Sequence, residues 1–316
     1  MKTDIEPGTY VVAVSGGVDS VVLLDLLIKK YESSVVSRQI SVTDNRKQIT
    51  DNSVRFVIAH FDHGIREDSQ LDRKFVKALA TKYNLPFVYD RGNLGPKASE
   101  ATAREARYNF LNKVKDSLGA MAIITAHHQD DVIETAIINL LRGTNRKGLT
   151  SLQSRPGIIR PLLEVSKNEI IAYAKAHELK WREDSTNQDT KYLRNHIRRN
   201  ILPQFSTAQR VDFLKHIDDL KLTNKKIDKE LLSQFQSQTE TKTLDRQWFT
   251  LLPHIVAREV LASWLKQNNI LSADKKILEQ LVIAAKTLTK GKRSDINARC
   301  YMLIEKDKLV LVQRSQ

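Results

Sequence analysis

The sequence predicts an α/β protein built on a doubly wound parallel sheet, followed by a smaller C-terminal α+β, mainly helical domain. Short apolar runs alternate with stretches of helical spacing up to about residue 145, the order that builds a parallel sheet from crossover units. The first apolar run passes directly into Ser15-Gly16-Gly17-Val18-Asp19-Ser20 and then Val21-Val22-Leu23-Leu24, which reads as strand, glycine-rich turn and helix start. Near Pro203 the alternation stops, and the rest of the chain reads as helices closed by a hairpin.

In order, Tyr10 to Val14, Phe56 to Ala59, Phe87 to Tyr89 and Met121 to Thr125 read as strands, because they are short, apolar and β-branched or aromatic. Ser20 to Lys30, Gln70 to Tyr83, Ala101 to Lys115 and Val132 to Leu141 read as the helices between and after them. In such sheets ligands lie beyond the carboxyl ends of the strands, so Ser15, His60 and Ala126 onward are expected to converge. The polar segment between Tyr31 and Ser53 lacks periodicity and reads as a solvated insertion. Ala208 to Gln236 reads as a charged amphipathic helix. Helices from Arg246, over His254 to Lys266 and over Ala273 to Ala285 then precede strands Arg299 to Ile304 and Leu309 to Val312. The expected domains are an N-terminal α/β domain over 1–205, a helical connector over 206–243 and a small C-terminal domain over 244–316.

The 51 Lys and Arg against 37 Asp and Glu give a formal charge of +14, which suits a polyanionic partner, nucleic acid first and a membrane surface second. No apolar run approaches the roughly 20 residues of a spanning helix, and the N-terminus has no signal-peptide pattern, so a cytoplasmic location without membrane attachment is expected. Cys300 is the single cysteine, which excludes an intrachain disulfide or a Cys-x-x-Cys site in this sequence.

Adjacent glycines let the Ser15–Ser20 loop turn tightly and present N–H groups, and its serines add hydroxyls at the positive end of a helix dipole. Phosphate is the natural ligand. The loop lacks the Gly-Lys-Ser/Thr of a Walker sequence and the Gly-x-Gly-x-x-Gly of a dinucleotide site. Asp19 reads either as a metal or substrate contact or as a cap on the helix. His60-Phe61-Asp62-His63-Gly64-Ile65-Arg66 reads either as turn and capping residues or as recognition of a nucleotide base; a zinc centre lacks a third clear ligand type. In Thr125-Ala126-His127-His128-Gln129-Asp130-Asp131-Val132-Ile133-Glu134-Thr135, helical spacing gathers three carboxylates within one turn. Capping alone does not account for three; such a cluster can hold Mg2+ against a triphosphate, bind a cationic amine or take up a proton. Glu100, Arg104 and Arg107 share a helical face, and Tyr192 to Arg199 is a basic stretch with an aromatic and a histidine; the alternatives are ion pairs or a solvated face, and phosphate or RNA.

The Ser15–Ser20 loop resembles that of the N-type ATP pyrophosphatases, the PP-loop family, whose fold is adenine nucleotide alpha hydrolase-like. The combination of that loop with His60 to Arg66, Glu100 to Phe110, Ala126 to Thr135, Leu141-Arg142-Gly143, Gly148-Leu149, Ile159-Arg160-Pro161-Leu162-Leu163, Glu183-Asp184 with Asn187, and Arg194-Asn195-His196-Ile197-Arg198 resembles the tRNA(Ile)-lysidine synthetase family. Asp62 stands where asparagine is frequent, and the longer members carry a further C-terminal domain.

The resemblance implies ATP-dependent joining of L-lysine to C2 of the wobble cytidine of a CAU-anticodon tRNA(Ile), through an adenylated cytidine, with release of AMP and pyrophosphate. It implies ATP on Ser15, Gly16, Gly17, Val18, Asp19 and Ser20, and catalysis by Asp19, Asp131, Glu134 and Arg107. It further implies lysine on Asp131 and Glu134, tRNA on His60, His63, Arg66, Arg194, Arg198 and Arg199, and Mg2+ on Asp19 and Asp130. The expected partners are tRNA(Ile), L-lysine and ATP, with a homodimer as the candidate assembly. The competing readings are another PP-loop enzyme that modifies tRNA or amidates, and a non-catalytic RNA-binding protein.

Overall fold

The computed structural model describes residues 4–31, 53–64, 69–92, 94–95, 98–144, 146–183, 193–236, 239–240, 242–270 and 273–314. The polar insertion over 32–52, Arg66, Asp184, Asn187 and Tyr192 therefore lie outside the described residues. The chain divides into two compact units, Met1–Leu220 and Lys221–Gln316.

The first unit is a parallel sheet of strands β1 (Gly8–Ala13), β2 (Val54–Asp62), β3 (Phe87–Arg91), β4 (Ala122–Ile124) and β5 (Ile158–Ile159), in the order β3-β2-β1-β4-β5. The chain starts in the centre and winds outward in both directions, with register fixed by pairs such as Val12 with Ile58 and with Ile124. Strand alternation sends successive side chains to opposite faces. Tyr10 and Val12 pack with α1 (Val18–Tyr31), α2 (Ser69–Lys82) and α6 (Lys167–Ala176), whereas Val11 packs with Phe110, Leu111 and Val114 of α3 (Glu100–Ser117). Burial on both faces explains why residues 10–13 and 56–59 read as unbroken apolar runs.

Two differences from the sequence reading position the site. Strand β2 continues through His60, Phe61 and Asp62, pairing with Tyr89, Asp90 and Arg91 of β3, so His60 lies within the strand. A fifth strand follows β4; at two residues it gives no periodic signal, and it is recognised only by its pairing with Ile123 and Ile124.

Helix α4 (Gln129–Leu141) starts beyond β4, and α5 (Arg146–Leu149) follows it. After α7 (Leu193–His196), the chain makes a wide helical turn over Ile197–Ile201 and a tight one over Leu202–Gln204 before α8 (Thr207–Gln236). Ile133 and Ile138 of α4 pack on Ile197 and Leu202, with Phe213 and Leu214 of α8 against them. The boundary between the units falls inside α8, the helix read as a connector.

The second unit carries more strand than expected. Besides the terminal pair β9 (Cys300–Ile304) and β10 (Lys308–Gln313), it has β6 (Thr239–Glu240), β7 (Thr243–Asp245) and β8 (Arg293–Asn297), in an antiparallel sheet ordered β6-β7-β10-β9-β8. Helices α9 (Arg246–Leu251), α10 (His254–Gln267) and α11 (Lys275–Thr287) complete it, around a core that includes Phe249, Trp264, Leu281, Met302 and Leu309. The guanidinium of Arg246 closes this core by donating to the carbonyls of Ala285, Leu288 and Glu305 at 3.1, 2.6 and 2.9 Å. Cys300 is buried there, its Sγ donating to Asn297 Oδ1, and burial raises its thiol pKa.

Candidate active site

The Ser15–Ser20 loop leaves β1 and wraps its own backbone around one hydroxyl. Ser20 Oγ accepts from the N–H groups of Ser15 and Gly16, each at 3.2 Å, and donates to Gly17 O at 2.9 Å. Gly16 holds φ +98°, a left-handed conformation open to glycine, and its carbonyl accepts from Arg182 N at 3.0 Å. Ser20, the third residue of α1, is buried, so these bonds close the turn on itself inside the protein. Val18 and Asp19 occupy the first positions of the helix.

Asp19 does not cap its helix. Lys167 Nζ, from the first turn of α6, lies 2.6 Å from Asp19 Oδ1, and His128 Nε2 lies 3.8 Å from Asp19 Oδ2. The same Nε2 lies 3.6 Å from Asp131 Oδ2, and the His128 backbone N–H donates to that oxygen at 2.9 Å. His128 thus stands between the loop aspartate and the acidic start of α4. The start of α6 is stitched to the start of α4 by Gln129 N donating to Val165 O at 3.0 Å.

On α4, Asp131 and Glu134 turn to one guanidinium. Arg198 donates from Nε to Glu134 Oε1 at 2.6 Å and from Nη2 to Glu134 Oε2 at 2.9 Å, and its Nη2 also reaches Asp131 Oδ1 at 3.2 Å. Arg194 adds a contact of 3.4 Å to Glu134 Oε2 and binds Glu100 Oε1 at 2.7 Å. Glu134 is fully buried, and burial raises its pKa against the pull of Arg198. Asp131 goes the other way: the cost of burial is outweighed by His128, its backbone hydrogen bond and Arg198, and its pKa is lowered. Arg198 stays firmly protonated, the cost of burial being overridden by Glu134 and then Asp131. The two carboxylates of this constellation therefore differ in character: Asp131 holds its charge, and Glu134 gives it up most readily.

Asp130 faces elsewhere. Its Oδ2 accepts from Arg210 Nη1 at 3.1 Å, and the same arginine donates to Leu202 O at 2.7 Å, which ties α4 to α8. Arg104 and Arg107 sit 4.9 and 5.5 Å from the ring centre of Tyr108, whose hydroxyl accepts from Arg160 at 3.5 Å. Burial lowers the pKa of Arg107, which Arg104 reinforces, while Asp131 and Glu100 oppose it. His127, bonded to Thr125 Oγ1 at 2.8 Å, is pulled down to about 3 by burial, with the neighbouring arginines adding to the effect, so it is neutral at physiological pH.

His60 is buried at the side of the loop, its Nδ1 2.9 Å from Val14 O, and burial lowers its pKa. A carbonyl only accepts, so this contact puts the proton of neutral His60 on Nδ1 and leaves Nε2 an acceptor. His63 stacks edge-on with Phe61, 5.1 Å between ring centres. Arg199 follows Arg198 and is exposed.

The structure thus joins the loop, Asp131, Glu134, Arg194 and Arg198 through His128, with Arg107 electrostatically coupled to Asp131. It leaves Asp130 to Arg210 and Arg199 on the surface. Sequence reasoning passed over Lys167 and Arg210, and gave Tyr108 and Arg160 no role beyond the motifs that contain them. Ser166-Lys167-Asn168-Glu169 carries a capping-box pattern, and Ser166 Oγ does accept from Glu169 N at 3.3 Å, so a helix start was readable there. Its approach to Asp19 was not.

A family model described as "PP-loop domain" matches residues 2–205. A tRNA(Ile)-lysidine synthase of Thermus thermophilus is 41% identical over 211 residues, covering 63% of this chain and 37% of its own length. Those of Lactiplantibacillus plantarum and Nitrosomonas europaea are 34% identical over 275 residues and 33% over 297, covering 82% and 89% of this chain. The chain spans 57% and 60% of those two relatives. Among solved structures, the U34-tRNA thiolase NcsA from Methanococcus maripaludis with its [4Fe-4S] cluster superposes with a TM-score of 0.53 at 18% identity, over 67% of this chain and 71% of its own. That likeness is one of fold.

Proposed function

Because this chain belongs to the PP-loop family, we propose that its loop holds the pyrophosphate end of ATP and that the protein is a tRNA(Ile)-lysidine synthetase. The observation that carries the reading is the carboxylate pair of buried Glu134 and half-buried Asp131, the latter linked to the loop by His128. A phosphate loop alone fits any adenylating enzyme of this fold. An anionic pair beside it suits a cationic amine as the second substrate.

In this reading the C2 oxygen of the wobble cytidine attacks the α-phosphorus of ATP, and pyrophosphate leaves with the electrons of the broken P–O bond. The lysine ε-nitrogen then bonds to C2, and AMP leaves with the former carbonyl oxygen. Activation is required because a cytosine carbonyl oxygen is a poor leaving group. Lysine arrives as an ammonium, with an ordinary pKa near 10.4, and must lose a proton before it attacks. Asp131 and Glu134 together receive the ammonium, and Glu134, whose pKa is raised, is the better proton acceptor of the two. Arg107 and Arg198 neutralise charge on the activated nucleotide.

Magnesium bound to ATP supplies charge neutralisation at the phosphates. Asp19 suits it: a partly exposed carboxylate beside the loop, one of its oxygens without a short contact. Mg2+ typically takes one or two carboxylates and completes its shell with phosphate and water. Asp130 is committed to Arg210 and suits it less. The RNA is held by Arg194, Arg199 and His63, with Lys286, Lys290, Lys292, Arg293 and Arg299 of the second unit adding charge, so its affinity falls steeply with salt. His60, which the sequence reading gave to RNA, is buried within β2 and is not available to it. No described helix is long and apolar enough to cross a membrane. The thiolase of the same fold carries an iron–sulfur cluster; Cys300, the one cysteine of this sequence, is buried in the second unit's core, which disfavours the thiolating branch.

The test is incorporation of labelled lysine into an unmodified CAU-anticodon tRNA(Ile) transcript with ATP and Mg2+, beside a transcript substituted at the wobble position. Incorporation that requires the wobble cytidine and yields one AMP per lysine is expected. AMP formation without lysine incorporation would refute the assignment while retaining the adenylating fold.

A further inference from the structure

The ion pair between Lys167 and Asp19 is unexplained by the fold. Asp19 is not needed to cap α1, whose loop is already satisfied by Ser20, and Lys167 is not needed to start α6, which Ser166 and Glu169 cap. Both side chains keep about a third of their surface in water, at 34% and 30%. A pair that exposed contributes little to stability. What it does accomplish is to hold an ammonium against the phosphate loop, on a backbone fixed by the capping box and by the Gln129–Val165 bond.

We infer that Lys167 is a phosphate-binding catalytic residue: it neutralises Asp19 while the loop is empty of nucleotide and transfers to the pyrophosphate oxygens when ATP binds. This deepens the proposed function and rests on the loop holding the pyrophosphate end of ATP. The carboxylate and the phosphate compete for one ammonium. A pyrophosphate group held by the loop would offer Nζ a second anion beside Asp19, its partner at 2.6 Å. As the α-phosphorus bonds to the cytidine oxygen, the departing pyrophosphate gains negative charge, and a lysine there stabilises the transition state more than the ground state.

The competition gives an unusual test. Inorganic pyrophosphate is titrated into the full-length protein by calorimetry, with EDTA present so that no metal contributes. Lys167→Met is expected to weaken binding by about 10-fold or more, the effect of losing one charge-assisted contact. Lys167→Arg restores most of it. Asp19→Asn removes the competitor and strengthens binding. A structural role predicts instead that Lys167→Met and Asp19→Asn shift affinity in the same direction, and that result would overturn the inference, as would undetectable binding to the wild type. Mg·ATP binding is measured in parallel: its absence from the wild type removes the reading of the loop itself, whereas wild-type affinity in Lys167→Met removes only the role of Lys167.

Discussion

Glu134→Gln separates the amine site from the nucleotide site. The substitution keeps the shape and one acceptor but removes the charge that meets Arg198 through two hydrogen bonds, at 2.6 and 2.9 Å. Hydrogen bonds to charged groups contribute about 1.5–3 kcal/mol each, and a contact of that kind lost to the substrate ammonium raises the lysine KM by about 10- to 100-fold. ATP meets the loop and not Glu134, so its KM is expected to move less than about threefold. The cost to folding is smaller than for a sealed ion pair. Breaking a buried pair costs about 3–5 kcal/mol, but the Arg198 side chain is 37% exposed and keeps Asp131 as a partner, so about 2 kcal/mol is expected. In a unit of this size that lowers Tm by about 4–8 °C. The assay is lysine incorporation at saturating tRNA, varying lysine and ATP in turn, at a temperature where the variant is folded. Equal changes in both constants would refute the assignment of Glu134 to the amine.

Other consequences are open to the same methods. As pH falls, Glu134, with its raised pKa, protonates before Asp131, so lysine KM rises at a pH above the ordinary glutamate range while ATP KM holds; simultaneous loss of both contradicts this order. The stability linkage has opposite signs at the two groups: protonating Glu134 favours the fold as pH falls through its raised pKa, whereas the contribution of Asp131 is present above its ordinary value of 3.8 and is lost through its lowered one. Gly64→Ala places a Cβ 2.3 Å from Gly92 O at a φ of +65°, so a loss of about 2 kcal/mol or more is expected, read as a lower Tm; an unchanged Tm would show that the turn yields. Arg246→Ala strips three carbonyls of a donor and is expected to destabilise the second unit by about 1–3 kcal/mol, read by hydrogen exchange in β7 and β10, with no recovery in Arg246→Lys.

The sheet was legible because burial on both faces leaves residues 10–13, residues 56–59 and β4 apolar without interruption, and because the Ser15–Ser20 loop announces the strand-to-helix turn. The short strands were not, since β5, β6 and β7 contain too few residues for a period and exist through their partners. The acidic start of α4 was legible as a cluster but not in its division: nothing in the spacing says that Asp130 turns to Arg210 while Asp131 and Glu134 turn to Arg198. That division comes from packing. Val132, Ile133 and Ala136 bury one stripe of α4 and leave neighbouring carboxylates to leave the helix on different sides. Lys167 was hidden for a similar reason, being 148 residues from Asp19 in sequence.

Asp25 lies on the second turn of α1, buried, and accepts from the hydroxyls of Tyr83 and Tyr173, each at 2.8 Å, with Lys29 at 2.9 Å. Tyr173 belongs to α6, the helix that begins with Lys167, and α1 begins with the loop. The two helices that bring together the phosphate loop and its lysine are thus pinned to each other by a carboxylate remote from both ends. A slip of α1 along its axis would strand that carboxylate inside the protein, so the relative height of the two helices is set as if by a dowel. Substitutions at Asp25 or Tyr173 will therefore imitate active-site lesions without touching a substrate, and a survey of inactive variants would place the catalytic surface deeper in the molecule than it lies.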